Sequence, residues 1–213
     1  MPKLTQVKET KRGRYALFFD GEFAFSLDED TFAMAGLHTG DELEEWQIHD
    51  LQTKSDTRKA VDKAMDLLAL RDHAAGELYQ KLCRSFDPHS AAAAVAKMQE
   101  LNLLDDAGFA RRRAAELLRK RKSRRAILDD LHAKGIDRGA AAEAVEALFA
   151  QSEEDEEENP ELANARALVE RHYAAKLAQG KWQQVAGASA RHGLSHSVIL
   201  QALADAETEE TEA

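Results

Sequence analysis

Residues 105–136 read D-D-A-G-F-A-R-R-R-A-A-E-L-L-R-K-R-K-S-R-R-A-I-L-D-D-L-H-A-K-G-I. The stretch predicts two helices joined by a tight corner at Lys122-Ser123. Ala110, Ala114, Leu117 and Leu118 recur at helical spacing and form an inward stripe. Arg111, Arg112, Arg113, Arg119, Lys120, Arg121, Lys122, Arg124 and Arg125 put nine cations here, with Glu116 the only acid between them. Arg112 and Arg119 stack along one outer line of the first helix, and Arg113 and Lys120 along the next. Arg124 and Arg125 follow Ser123, a natural N-cap. Exposed cations there oppose the helix dipole at a cost of roughly 0.3–1 kcal/mol each. Free amides at a helix start attract anions, so these nine residues are the candidate surface for an anionic partner or DNA. A solvated helix face is the plain alternative.

The rest of the chain sets the frame for that stretch. Its 213 residues have a formal net charge of -10, yet the positive charge is segregated, so the average understates the local field. Alanine supplies much of the apolar content while aromatics make up 6%, which favours close-packed helices. No apolar run approaches the ~18 residues of a membrane span. Residues 1–10 lack the apolar core of a signal peptide. Cys83 is the single cysteine and reads as a small apolar residue, so no internal disulfide forms and a cytoplasmic location is expected.

Residues 1–52 predict a small β-rich segment. Leu4–Val7 and Arg14–Phe19 read as strands, Asp20-Gly21 as a two-residue hairpin turn, and Glu22–Leu27 as a third strand with Phe23, Phe25 and Leu27 on one face. Asp28 caps a short helix ended by Gly36, and Leu43–Leu51 is helical. Alone this segment is marginal, so it either packs on something larger or serves as an arm.

From Thr57 onward the pattern is helical, with a first helix over Thr57–Arg71. Corners around Arg84-Ser85, Gly135 and Gly193 repeat at intervals of about fifty to sixty residues, enough for three short helices per unit. The expected fold is mainly α: tandem three-helix, helix-turn-helix-like units in an elongated curved array after the β segment. The units are 57–105, the basic 106–150 and 160–206. An acidic linker, 151–159, contains Glu153–Glu158, and residues 207–213 form an acidic tail. The linker reads as a solubilising spacer or, more sharply, as a phosphate mimic that competes for the basic stretch.

Catalytic patterns are absent. No phosphate-cradling glycine loop, H-E-x-x-H or paired-cysteine motif occurs, and no cofactor is implied. His192 and His196 flank Gly193 at a corner and do not share a metal-binding face. His73, His132 and His172 read as solvent-exposed, and Glu77 as a capping carboxylate. No catalytic residue or metal ligand is assigned.

Four stretches in order, Glu77–Leu82, Leu101–Ala110, Ile127–Ile136 and Arg191–Ser195, together resemble the bacterial RecX regulatory family. Glu77–Leu82 resembles its E-L-x-x-K-L helix and Leu101–Ala110 its L-x-x-L-x-D-x-x-F-A segment. Ile127–Ile136 is similar to I-x-x-E-L-x-x-K-G-I, with Asp130 in place of glutamate, and Arg191–Ser195 to the closing R-R-G-F-S, with Leu194 in place of phenylalanine. Residues 4–51 resemble the extra N-terminal β segment of some members. Ala74-Ala75-Gly76 departs from the serine before E-L, and Ser123 occupies the area of a usual glycine. The resemblance implies a non-enzymatic modulator of RecA, the recombinase that forms filaments on single-stranded DNA. Such proteins lodge in the filament groove, most commonly inhibiting recombinase, ATPase and coprotease activities and so damping DNA repair and the SOS response. Direct DNA binding by a helix-turn-helix-like protein is the alternative. A monomer is the simplest state. Reversing Arg112, Arg113, Arg119 and Lys120 to glutamate is expected to weaken filament inhibition without unfolding the chain.

Overall fold

The computed structural model describes residues 1–11, 13–155, 160–177, 179, 181–191 and 193–212; the side chains of 151–155, 160, 191 and 207–212 fall outside that description. Mainly helical with a small sheet, the chain divides into two compact units, Met1–Leu104 and Asp105–Ala213.

The first unit begins with an antiparallel sheet of order β1-β2-β3, formed by β1 (Leu4–Glu9), β2 (Arg14–Phe19) and β3 (Glu22–Asp28). The Asp20-Gly21 hairpin forms as expected, with both residues at positive φ. The face expected for Phe23 does not. A register shift between Leu17 and Phe18 pairs Leu17 with Phe25 but Phe18 with Phe23, so β3 carries an extra residue. Phe25 and Leu27 are buried, while Phe23 is displaced from that face and rests edge-on against Phe18.

Helix α1 (Glu29–Ala35) starts at Asp28, whose carboxylate accepts from Thr31 N, and stops at left-handed Gly36. Helix α2 (Glu45–Leu70) corrects the two separate helices expected over 43–51 and 57–71. The intervening residues contain no glycine or proline to break it. Ser55, fully buried there, donates to Ser26 O at 2.6 Å, and Arg14 reaches both Ser55 Oγ and Ser26 O at 3.1 and 2.8 Å. These bonds tie the sheet to α2, so the β segment packs on the helical part of its unit.

Helices α3 (Ala75–Leu82) and α4 (Pro88–Glu100) close on α2 around Ala60, Ala64, Leu78, Leu82, Ala94 and Met98. The small residues on α2 and α4 let their backbones approach. One sequence expectation fails here: His73, read as solvent-exposed, is buried beside the buried Glu77 of the first turn of α3, while Cys83 is exposed. His73 Nδ1 lies 2.9 Å from Glu77 Oε2, and Arg71 forks onto the same carboxylate at 2.8 and 3.1 Å. The α2–α3 corner thus buries His73, which the sequence reading placed in solvent, against a carboxylate that Arg71 also pairs.

The second unit contains α5 (Asp106–Arg119), α6 (Arg124–Ala133) and α7 (Arg138–Asp155), then α8 (Pro160–Leu177), α9 (Trp182–Arg191) and α10 (His196–Glu212). The first three bury Phe109, Ala114, Leu117, Ile127, Leu131 and Val145. The last three enclose Ala165, Val169, Val185, Leu194, Ile199 and Ala202. Gly135 and Gly193, at two of the corners the sequence marks, take positive φ. Glu156, Glu157, Glu158 and His192 lie outside the described residues, and α7 continues to Asp155, into the segment read as a linker.

Candidate binding surface

Helix α5 is set by its first turn. Asp105 Oδ1 accepts from Gly108 N at 2.8 Å, and a Cβ on Gly108 would overlap that carboxylate. Glycine here therefore protects the N-cap. Phe109, Ala110, Ala114 and Leu117 then face the core, as the apolar stripe predicts, with Leu118 half-buried. The opposite side carries the arginines.

The end of α5 is unusual. Arg121 N donates to Leu118 O at 2.8 Å and Lys122 N to Leu117 O at 3.0 Å, the paired bonds of a left-handed helix stop. At this position Gly135 serves α6, whereas Arg121 occupies it at φ 57. A non-glycine residue there costs on the order of 1 kcal/mol. That strain holds an exposed cation at the corner, and strained backbone tends to cluster at functional sites. Ser123 then caps α6, its Oγ accepting from Ala126 N at 3.3 Å.

The nine predicted cations separate into groups. Arg113 is half-buried and forks onto Asp130 of α6: Nε donates to Oδ2 at 2.8 Å and Nη2 to Oδ1 at 2.9 Å. Its Nη1 also donates to Glu116 at 2.9 Å. The Arg113 hydrogen bond holds the Asp130 carboxyl below its usual range despite opposing desolvation, and Asp130 in turn raises the Arg113 guanidinium. Arg124 lies against α7, donating to Glu146 at 2.7 Å with its guanidinium 5.0 Å from the Phe149 ring centre. Arg113 and Arg124 thus clamp helices together, which corrects the placement of Arg113 on an outer line of the helix. Lys120 bonds Glu116 at 2.5 Å yet stays exposed, and exposed Arg125 lies 4.0 Å from Asp129. Arg111, Arg112, Arg119, Arg121 and Lys122 are exposed.

Lys120, Arg121 and Lys122 form one wall of an open cleft of about 650 Å³. Arg171, His172 and Asn164 of α8 face them, with Glu170 as the acid and Ala126, Leu168 and Leu194 as apolar lining. Gly193 maintains the approach from the α9–α10 corner: a Cβ there would sit 2.6 Å from Ser123 Oγ. Arg171 was not singled out by the sequence reading, and His172 was read only as exposed. Neither stands in a charge run, and α8 interleaves acids and bases, so only tertiary packing brings them to the corner. Nearby, burial raises the Glu161 carboxyl above its usual value, opposed by Arg124 and by the Ser195 N–H. Among the described residues no group of three or more His, Cys, Asp or Glu is arranged to hold a metal, and no helix is long and apolar enough to cross a membrane.

No family model matches the chain. The regulatory protein RecX of Lactobacillus gasseri is 30% identical over 218 aligned residues, spanning 100% of this chain and 78% of the relative. The chain belongs to the RecX family of regulatory proteins. RecX of Caldanaerobacter subterraneus is 27% identical, covering 70% of this chain and 77% of that relative. RecX of Bacillus subtilis is 28% identical over 68% of this chain and 56% of its own length. A crystal structure of a regulatory protein RecX shares the fold, with TM-score 0.64 and 22% identity, over 93% of this chain and 97% of that one. The RecX structure from Lactobacillus salivarius has TM-score 0.59 and 18% identity, over 72% and 97%. As a RecX-family chain, the protein has a regulatory role.

Proposed function

We propose that this protein binds the RecA filament on single-stranded DNA and inhibits its recombinase, ATPase and coprotease activities, damping DNA repair and the SOS response. The observation carrying the reading is sequence similarity to a RecX regulatory protein along the entire chain. The chain acts by occupancy, as a cytoplasmic monomer without cofactor or catalytic residue. Its working parts are the three-helix groups α2–α4, α5–α7 and α8–α10, for which the sequence boundaries 57–105, 106–150 and 160–206 are starting estimates. Exposed Arg111, Arg112, Arg119, Lys120, Arg121, Lys122 and Arg125 supply the cationic contact with acidic RecA surface or filament DNA.

Direct DNA binding is the second reading, favoured by the cationic cleft at Lys120–Lys122 and Arg171. Phosphate contacts there would weaken binding with salt, by a log–log slope of about -0.7 per contact on a single strand. Sequence-specific reading needs side chains aimed at base edges. The cations instead concentrate on α5 and its corner, which suits contact with phosphate or with an acidic protein surface. Titrating the chain into the ATPase reaction of its cognate RecA on single-stranded DNA tests the proposal. A dose-dependent fall in turnover is expected; unchanged turnover through saturating protein refutes inhibition. A pull-down after nuclease treatment separates the two readings, because RecA retained without DNA identifies a protein contact.

A further inference from the structure

A second surface lies wholly within the first unit. Helix α1 and the first turns of α2 border a groove of about 390 Å³. Its lining includes Leu43 and Leu51, buried members of the sheet-side core, so the groove opens onto that core. Met34 and Trp46 also line it, and they are 89% and 69% exposed. The reason is local. Phe32 is held by stacking on Tyr15 at 4.4 Å, which fixes the inward side of α1 and leaves Met34 outside. Trp46 occupies the first turn of α2, ahead of the buried Leu51. Two large apolar side chains exposed along one groove mark a contact surface, and tryptophan is a favoured anchor in such surfaces.

The surrounding charge selects the occupant. Residues 28–54 contain eight acids and one lysine, and Lys54 is already paired with Asp50 at 2.7 Å. Asp28 caps α1, and Asp41 accepts from His38 N. Glu29, Asp30, Glu42 and Glu45 are exposed and flank the lining residues in sequence. The acidic excess of this segment repels nucleic acid and anionic lipid and attracts cations.

We propose that this groove docks a cationic amphipathic helix of another protein. Its apolar face covers Met34 and Trp46, and its lysines or arginines meet the exposed acids of α1 and of the first turn of α2. The site is separate from the cationic cleft and does not depend on the RecA reading.

The probe is a synthetic Leu/Lys peptide with leucines at helical i, i+3, i+4 and i+7 spacing, compared with a Leu/Glu peptide of the same pattern. Calorimetry on the full chain measures affinity. A Trp182→Phe variant leaves Trp46 as the single reporter of fluorescence. Saturable binding of the Leu/Lys peptide with a blue shift of Trp46 is expected, weakened at least tenfold by Met34→Asp and by paired Asp30→Lys/Glu45→Lys. Circular dichroism checks that these variants stay folded. The proposal is overturned if the Leu/Lys peptide fails to bind, if the Leu/Glu peptide binds equally, or if folded Met34→Asp binds unchanged. Self-association abolished by Trp46→Ala would also overturn it, by assigning the groove to a second copy of this chain.

Discussion

Replacing Arg113 with alanine should destabilise the second unit while leaving the exposed cations in place. Its fork onto Asp130 joins α5 to α6, and both side chains are about three-quarters shielded, at 26% and 27% exposure. Hydrogen bonds to charged groups contribute about 1.5–3 kcal/mol each when well protected. Solvent reaching this pair lowers that contribution, whereas stranding Asp130 half-buried raises the cost of truncation. The net loss is about 2 kcal/mol at neutral pH. With a urea dependence of roughly 2 kcal/mol per molar, the unfolding midpoint falls by about 1 M. The pH dependence supplies an independent check. Arg113 depresses the folded-state carboxyl of Asp130 below its unfolded value. The associated stability is therefore present above about pH 3.9, and it is lost as pH falls through the folded value. The difference between wild type and Arg113→Ala should shrink over that acidic range. Equal urea midpoints at pH 7, or a difference that grows on acidification, would refute the clamp. Because Arg113→Glu places a third carboxylate beside Asp130 and Glu116, the charge reversal over Arg112, Arg113, Arg119 and Lys120 combines loss of contact with loss of fold.

Further outcomes follow from the same geometry. Arg119→Glu/Arg121→Glu/Lys122→Glu should keep the wild-type urea midpoint within about 0.5 kcal/mol-equivalent and weaken RecA inhibition at least tenfold; wild-type inhibition would remove the corner from the mechanism. Arg121→Gly should raise unfolding stability by roughly 1 kcal/mol, because glycine relieves the left-handed strain; a lower midpoint contradicts that account. Gly108→Ala should cost about 1–2 kcal/mol by displacing the Asp105 cap, measured by thermal or urea unfolding. Burial lowers the His73 folded-state pKa, opposed by its bond to Glu77. The unfolded chain therefore takes up this proton first, and the contribution present above about pH 6.5 is lost as pH falls. His73→Gln should flatten that part of the stability profile, and an unchanged slope would reject His73 as its source.

The sequence by itself determined the elements whose signals are local. Asp20-Gly21 specified a hairpin because its turn needs positive φ at both central residues. Asp28, Ser123, Gly135 and Gly193 marked helix ends because caps and left-handed stops depend on neighbouring backbone. Ordered motifs also carried the family resemblance. Tertiary structure decided the relations between segments. The β3 bulge turned Phe23 off the buried face, and Ser55 bonding to Ser26 bound a continuous α2 to the sheet. Arg113 and Arg119 look alike in the sequence, but only Arg113 meets Asp130, seventeen residues away. Arg171 reaches the cationic corner through packing of α8, and His73 finds Glu77 in a buried corner. A local pattern records periodicity and backbone preference; whether a charge meets a partner or water depends on what the folded chain brings beside it.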